Sequence, residues 1–272
     1  MTAGDVNVVR GSLDSRQCVA FDGTDDYILA DAHAVARVAA GDTVGTYTAW
    51  IYSDETTGNT TILSAGDNSS TDEYINFYLQ GNQLSVILKH GGANQFIVRE
   101  IPASIPKKKW THVALVQNGT QPALYVNGLA RTITNAVSTD LTMWYGDLTL
   151  TDKFAIGVLE SNNTHTNDFV GMISNVKYWN RVLSAAEILL DFNGEVLTND
   201  ATYLQSHWDM DGDVTDAGVG ADNGTPAGHA YNHGWGSEWS RQVELNGLVA
   251  DDHYNLTPDS AGNQTTLILK AA

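Results

Sequence analysis

Oxygen-bearing side chains cluster in three stretches of the chain. Asp67 and Asn68 stand near Asp72 and Glu73, between two apolar runs. Asn162 and Asn163 stand near Asn167 and Asp168, just ahead of the run that begins at Phe169. Asp209, Asp211, Asp213 and Asp216 form a D-x-D-x-D run. A calcium ion takes roughly 6–8 oxygens at about 2.3–2.6 Å, drawn from carboxylates, amides and loop carbonyls, so each stretch is a candidate Ca2+ site. The first two loops are expected on one rim of the molecule. The third is not an EF-hand, because Val214 stands where the turn glycine belongs and Gly220 where the bidentate glutamate belongs. The competing reading is that these Asp and Asn residues only make turns.

Aromatic side chains offer a second kind of chemistry. A sugar's C–H face packs on an exposed ring flanked by polar groups. Trp144-Tyr145 lies in a polar stretch, and Tyr231, Trp235 and Trp239 lie in a Gly-rich one, which makes these five the candidate ligand-binding residues. Packing under loops, or a protein–protein contact, is the alternative for all five. His229 and His233 have ligand-pair spacing, but Gly228 and Gly234 beside them argue against a helix, leaving a loop zinc site against plain loop polarity. Cys18 sits in a predicted strand as a small buried hydrophobe, and His112 alternates with core residues as a structural histidine. No G-x-S-x-G or H-E-x-x-H occurs.

The whole chain sets bounds on these readings. It has 272 residues, with 14 Lys+Arg against 32 Asp+Glu and a formal charge of −18. Such acidity disfavours nucleic acid, and Lys107-Lys108-Lys109 is too short for a phosphate track. The single cysteine excludes an intrachain disulfide, and no run approaches the ~20 apolar residues of a membrane span. The N-terminal stretch has no apolar h-region, so no secretory signal peptide is expected.

The elements that must position these groups read as short strands between Gly, Asn and Asp turns: 17–21, 26–29, 46–52, 60–65, 74–79, 84–89, 95–101, 110–116, 123–126, 154–159 and 169–179. Within Trp110–Val116, Trp110, His112, Ala114 and Val116 share one face and Val113 and Leu115 the other, as expected where two sheets pack. One helix is predicted over 185–192, with Ser184 and Glu187 as a capping box and Asn193-Gly194 as its stop. Residues 1–12 read as an arm and 13–195 as the main domain. Residues 196–272 read as an annex with strands near 242–249 and 265–270, completing the sandwich or forming a small lobe.

Phe21-Asp-Gly-Thr-Asp-Asp-Tyr-Ile28 resembles the opening motif of laminin-G-like, concanavalin-A-like jelly-roll domains. Thr48–Tyr52, Trp110–Ala114, Leu124–Gly128, Ala155–Gly157 and Phe169–Ile188 follow in that family's order. The resemblance implies an all-β antiparallel jelly-roll sandwich with Phe21, Trp50, Trp110, Phe169, Val176 and Trp179 in its core. Gly23 and Gly128 are expected at positive φ. His207–Asp216 looks like a segment that precedes the Phe-Asp-Gly motif in such domains, yet here it follows. A weaker echo relates 15–29 to 240–256.

The family implies binding of glycans or proteins, often beside calcium. The sandwich also hosts glycosidases, but their E-x-D-x-x-E pairing is missing here. The expectation is a non-enzymatic display or adhesion module for a glycan or protein on a surface. The alternative is a structural virion protein (capsid decoration, turret or fibre) that contacts capsid proteins or its own copies and is made in the cytoplasm and released. A glycoside hydrolase comes third.

Overall fold

A computed structural model describes residues 18–54, 57–210 and 213–228, together with the strands 254–258 and 265–269. The chain opens with β1 (Val19–Asp22), β2 (Tyr27–Leu29) and α1 (Asp31–Ala40). Seven strands follow: β3 (Gly45–Ser53), β4 (Asn59–Gly66), β5 (Tyr74–Gln80), β6 (Gln83–His90), β7 (Ala93–Glu100), β8 (Trp110–Gln117) and β9 (Pro122–Val126). Then come β10 (Leu129–Ala130), β11 (Ile133–Ser138), β12 (Lys153–Ile156), β13 (Leu159–Ser161), β14 (Thr164–Thr166) and β15 (Val170–Trp179). After it lie α2 (Ala185–Phe192), α3 (Asp200–Tyr203), β16 (Leu204–Trp208), β17 (Thr225–Ala227), β18 (Tyr254–Pro258) and β19 (Thr265–Leu269).

Two antiparallel sheets carry the fold. One has the order β1-β15-β3-β8-β9-β10, with β16 also on β15, and the other β11-β7-β6-β5-β4-β12-β2-β17. Alternation along each strand sends Val113 and Leu115 of β8, Ile75 and Phe77 of β5, and Val86 and Leu88 of β6 into one buried cluster between the sheets. This is the jelly-roll sandwich that the motif order implies. Gly23 and Gly128 have φ of 83° and 77°, as the turn chemistry requires.

The second apolar face of β8 has a different cause from the one expected. Ala114 and Val116 pack with Trp179, Leu183, Ile188 and Leu197 beneath α2. The helix covers the outside of that sheet, and its capping box is present at Ser184 and Glu187. Trp50 belongs to this outer layer too, its ring 5.5 Å from that of Phe192. Trp110 is a correction to the expected core. It opens β8 on the outer face, is only half-buried, and lies against Tyr52 at 5.7 Å.

Residues after the helix are stitched into both sheets. β16 pairs with Val176–Trp179, beside the stretch Val170–Ile173 that pairs with β1, so β1 and β16 lie end to end along one edge of β15. β17 pairs with β2 in the other sheet. This accounts for a segment that resembles one preceding the Phe-Asp-Gly motif: in space β16 lies end to end with β1 and β17 pairs with β2, so the segment can border both from either end of the sequence. Residues 204–227 therefore complete the sandwich. Residues 235–272 form a separate compact unit in which β18 and β19 pair antiparallel. The strand expected over 242–249 lies outside the described residues.

Helix α1 was not anticipated. It starts without a side-chain cap and ends at Gly41, whose φ of 67° lets its N–H reach the Val38 carbonyl at 3.0 Å. It delivers His33 to the core, where Nε2 hydrogen-bonds Tyr47 Oη at 2.7 Å and Nδ1 bonds Ser206 Oγ at 2.9 Å. Tyr47 in turn bonds Tyr145 Oη at 2.6 Å. This polar chain runs through an aromatic surround that includes Phe154, Tyr178 and Trp208.

Candidate functional site

The outer face of the eight-stranded sheet, turned away from the core, carries an organised set of side chains. Strand alternation places Tyr74, Asn76 and Tyr78 of β5 there, because Ile75, Phe77 and Leu79 fill the core. Cross-strand register sets Lys89 opposite Tyr74, Ile87 opposite Asn76 and Ser85 opposite Tyr78. On β7, Ile97 lies opposite Ile87 and Arg99 opposite Ser85. Thr134 of β11 continues the row beyond Arg99, and Thr61 of β4 continues it beyond Tyr78. Strand spacing gives this platform roughly 10 Å across β5–β7 and about 13 Å along them.

Its centre is the half-buried pair Ile87 and Ile97, and its flank is aromatic. The Lys89 ammonium stands 5.9 Å from the centre of the Tyr74 ring. Burial and the neighbouring Tyr78 phenol push the Tyr74 hydroxyl up. Asn76 is 3% exposed and Thr61 fully buried, yet Asn76 Oδ1, Thr61 Oγ1 and Arg99 Nε have no hydrogen-bond partner.

A wall stands on the β4 side. Ser64 Oγ donates to the Val158 carbonyl at 2.8 Å and accepts from the Glu160 N–H at 3.0 Å, drawing the β13–β14 hairpin over the outer face of β4. Gly66 lets the hairpin approach: a Cβ there would lie 2.2 Å from the Glu160 carbonyl oxygen. Across the hairpin Glu160 pairs with His165, whose ring packs on Tyr27 at 4.1 Å. Burial pushes the Glu160 carboxyl up, against the pull of His165 and Lys153.

The residues singled out from sequence fall elsewhere. Trp144 and Tyr145 are 0% exposed and belong to the core, which corrects their reading as sugar-stacking rings. Trp144 Nε1 donates to Tyr178 Oη at 3.2 Å, and the Gly146 N–H reaches the Asp42 carbonyl at 2.7 Å, folding the segment inward. Tyr231, Trp235 and Trp239, like the His229–His233 pair, lie outside the described residues.

The candidate calcium loops are partly closed by protein donors. Asp67 accepts from the Ser69 N–H and hydroxyl on one oxygen and from the Ser70 hydroxyl on the other, at 2.7–2.8 Å. That is an Asx-type turn made by the carboxylate itself. The two loops do meet: the Asn162 N–H donates to the Asp67 carbonyl at 2.7 Å, with Asn162 and Asn163 exposed beside exposed Asp72 and half-buried Asn68. Asp216 accepts from the N–H groups of His207, Gly218 and Asp222, and Asp213 accepts from that of Thr215, so these two fasten their own loop. Asp209 is half-buried beside them, and Asp211 lies outside the described residues.

Asp168 has separate company. Burial raises its carboxyl, His165 opposes that, and the charges of Asp22 and Asp25 raise it further. Asp22, Asp25 and Asp26 bring carboxylate oxygens within 4.8 Å of one another in the turn between β1 and β2. The all-oxygen donor set suits a hard cation such as Ca2+.

Sequence reasoning passed over the platform, although a signal was present. Between Tyr74 and Thr139 the chain has six Lys or Arg and one acid, Glu100, in a protein of charge −18. Glu100 is fully buried and paired with Arg131. No acidic residue stands on the outer face of β4–β7 and β11.

A two-sheet jelly roll with an aromatic and polar platform is the architecture of a lectin-type domain. The family model described as the concanavalin A-like lectin/glucanases superfamily matches residues 22–189, and the chain belongs to that family. No curated protein matches it in sequence. Among solved structures, the CBM40 of the Ruminococcus gnavus IT-sialidase aligns at a TM-score of 0.55 and 19% identity, over 65% of this chain and 96% of that one. The same module has been solved bound to α2,3 sialyllactose. A leech intramolecular trans-sialidase aligns at 0.52 and 19% identity, over 73% of this chain and 30% of that one. The NanB sialidase of Streptococcus pneumoniae aligns at 0.52 and 13% identity, over 72% and 30%. At such identities the likeness is one of fold.

Proposed function

We propose that the chain is a non-catalytic carbohydrate-binding module whose glycan lies on the outer face of β5–β7. The observation that carries this reading is the half-buried set Tyr74, Ile87, Lys89, Ile97 and Arg99, which shares one face of three paired strands. It joins apolar and aromatic surface for sugar C–H groups to the N–H donors of Lys89 and Arg99. The bound form of the Ruminococcus module supports glycan recognition by this fold. The platform offers no carboxylate pair of the kind that glycoside hydrolysis uses, which favours binding over cleavage. Its place of action is wherever such glycans are displayed, at a cell or particle surface. Calcium, where it binds, is held by Asp22, Asp25 and Asp26 with Asp168 beside them, and supplies positive charge that neutralises the turn.

A glycan array followed by calorimetry on the full chain tests the reading. Wild-type protein is expected to retain at least one glycan class, and Tyr74→Ala to weaken it about tenfold, the scale of one lost aromatic contact. Retention that is indifferent to both Tyr74→Ala and Ile97→Asp would move the site elsewhere, and an array without any retained glycan would end the proposal.

A further inference from the structure

The ligand class of this platform can be narrowed from its charges, an inference that rests on the binding-module reading above. Among the described residues, Arg37, Arg131 and Arg181 each pair with a carboxylate, respectively Asp42, Glu100 and Glu187. Lys153 and Lys177 do likewise with Asp31 and Asp191. Arg99 is the described arginine without such a partner, and its Nε is buried without an acceptor. Lys89, on the same face, has the Tyr74 ring and no carboxylate.

This arrangement runs against the composition. A chain with 32 acidic residues has carboxylates to spare for two cations, yet the platform that carries them has none. A guanidinium offers N–H donors in a planar fork that fits a carboxylate through two hydrogen bonds, and a half-buried one binds it with less competition from water. Ile87 and Ile97 lie on the register between the two cations, which suits a ring with an apolar face and a charged substituent. The overall negative field of the protein repels anions at long range, so recognition here depends on short-range contacts at this spot.

We infer that the outer face of β5–β7 selects carboxylate-bearing saccharides, with Arg99 receiving the carboxylate and Lys89 a second anionic or hydroxyl group. Uronic acids and sialic acids share that chemistry.

The test compares matched pairs that differ in charge. Oligogalacturonate is set against its methyl ester, and sialyllactose against lactose, by calorimetry at 50 and 300 mM NaCl. The acidic member of one pair is expected to bind at least tenfold tighter than its neutral partner, with the margin shrinking at high salt. Arg99→Met is expected to remove roughly ten- to a hundredfold of affinity for the acidic member, the range of a charge-assisted hydrogen bond, and so to narrow its margin over the neutral member. Lys89→Met, on a different strand, provides the same comparison if the first variant does not fold. Equal affinity within both pairs, or a preference that survives both substitutions, overturns this inference while the binding-module reading stands. Failure of every acidic and neutral glycan on the array overturns both.

Discussion

The Asp191 carboxylate of α2 accepts a hydrogen bond from His112 Nε2 of β8 at 3.0 Å, under the closing helix. Its other oxygen takes Lys177 Nζ of β15 at 2.7 Å. One buried carboxylate thereby ties the helix to two strands of the sheet it covers. Burial pushes the Asp191 carboxyl up, but the two partners outweigh it and hold the group far below the usual range. Removing one member of a buried ionic set costs about 3–5 kcal/mol. Asp191→Ala is expected to lose that much in urea unfolding, and a loss under about 1 kcal/mol would show that α2 is held by its apolar face alone. A depressed carboxyl stabilises the fold above its unfolded value, so this contribution fades as the pH drops below about 3.9.

His33 sets a limit at milder acidity. Burial first, and Arg37 second, hold its imidazole well below the usual histidine range, although the Asp222 carboxylate stands 3.8 Å from Nδ1. The unfolded chain takes up this proton below about pH 6.5 and the folded chain resists it, so stability falls as the pH is lowered through that point. The expected slope approaches about 1.4 kcal/mol per pH unit, with His207, also lowered by burial, adding in the same direction. Unfolding measured between pH 7 and 5 reads the slope. In His33→Gln it should be visibly flatter, and an unchanged slope would place the pH dependence elsewhere.

Gly66 controls the wall of the platform. Its absent Cβ is what admits the Glu160 carbonyl oxygen. Gly66→Ala is expected to cost about 1–3 kcal/mol, as overpacking does, and to expose the Ser64–Glu160 hydrogen bond to exchange. Hydrogen exchange at the Glu160 amide checks this, and unchanged protection would show that the hairpin yields without leaving the sheet.

Calcium has a thermodynamic signature. A ligand that binds only the folded chain stabilises it by about 2.7 kcal/mol at a hundredfold excess over its Kd. Wild-type protein is therefore expected to melt several degrees higher in millimolar Ca2+ than in EDTA, and Asp25→Asn or Asp168→Asn to shrink the gap. Identical melting in both solutions would leave the β1–β2 turn as an acidic turn and no more.

Much of the scaffold was legible in the sequence because its signals are local. Helix α2 announced itself through Ser184, Glu187 and Asn193-Gly194, and the structure supplies each contact. Strands stood out where apolar residues alternate. Helix α1 hid because Ala30 offers no cap and its alanines give little periodicity. Trp144 and Tyr145 misled for the opposite reason. Their sequence neighbours are polar, and only the long-range contacts with Asp42 and Tyr178 turn them inward. The platform was the hardest part to see. Tyr74 and Lys89, and Ile87 and Ile97, come together through cross-strand register, which no window of sequence displays, and the sole linear trace was a stretch nearly free of acid.

The placement of β16 and β17 bears on how the molecule is made. The matched family region ends at residue 189, whereas both sheets receive their last strands from residues 204–227. During synthesis, therefore, β15 and β2 leave the ribosome with open edges that wait for β16, which begins 15 residues after the end of that region, and for β17, which begins 36 residues after it, a stretch in which neighbouring nascent chains can pair with them. A gene fragment cut at the family boundary would keep those edges permanently open. Transplanting this domain into another protein calls for a cut after Gly228.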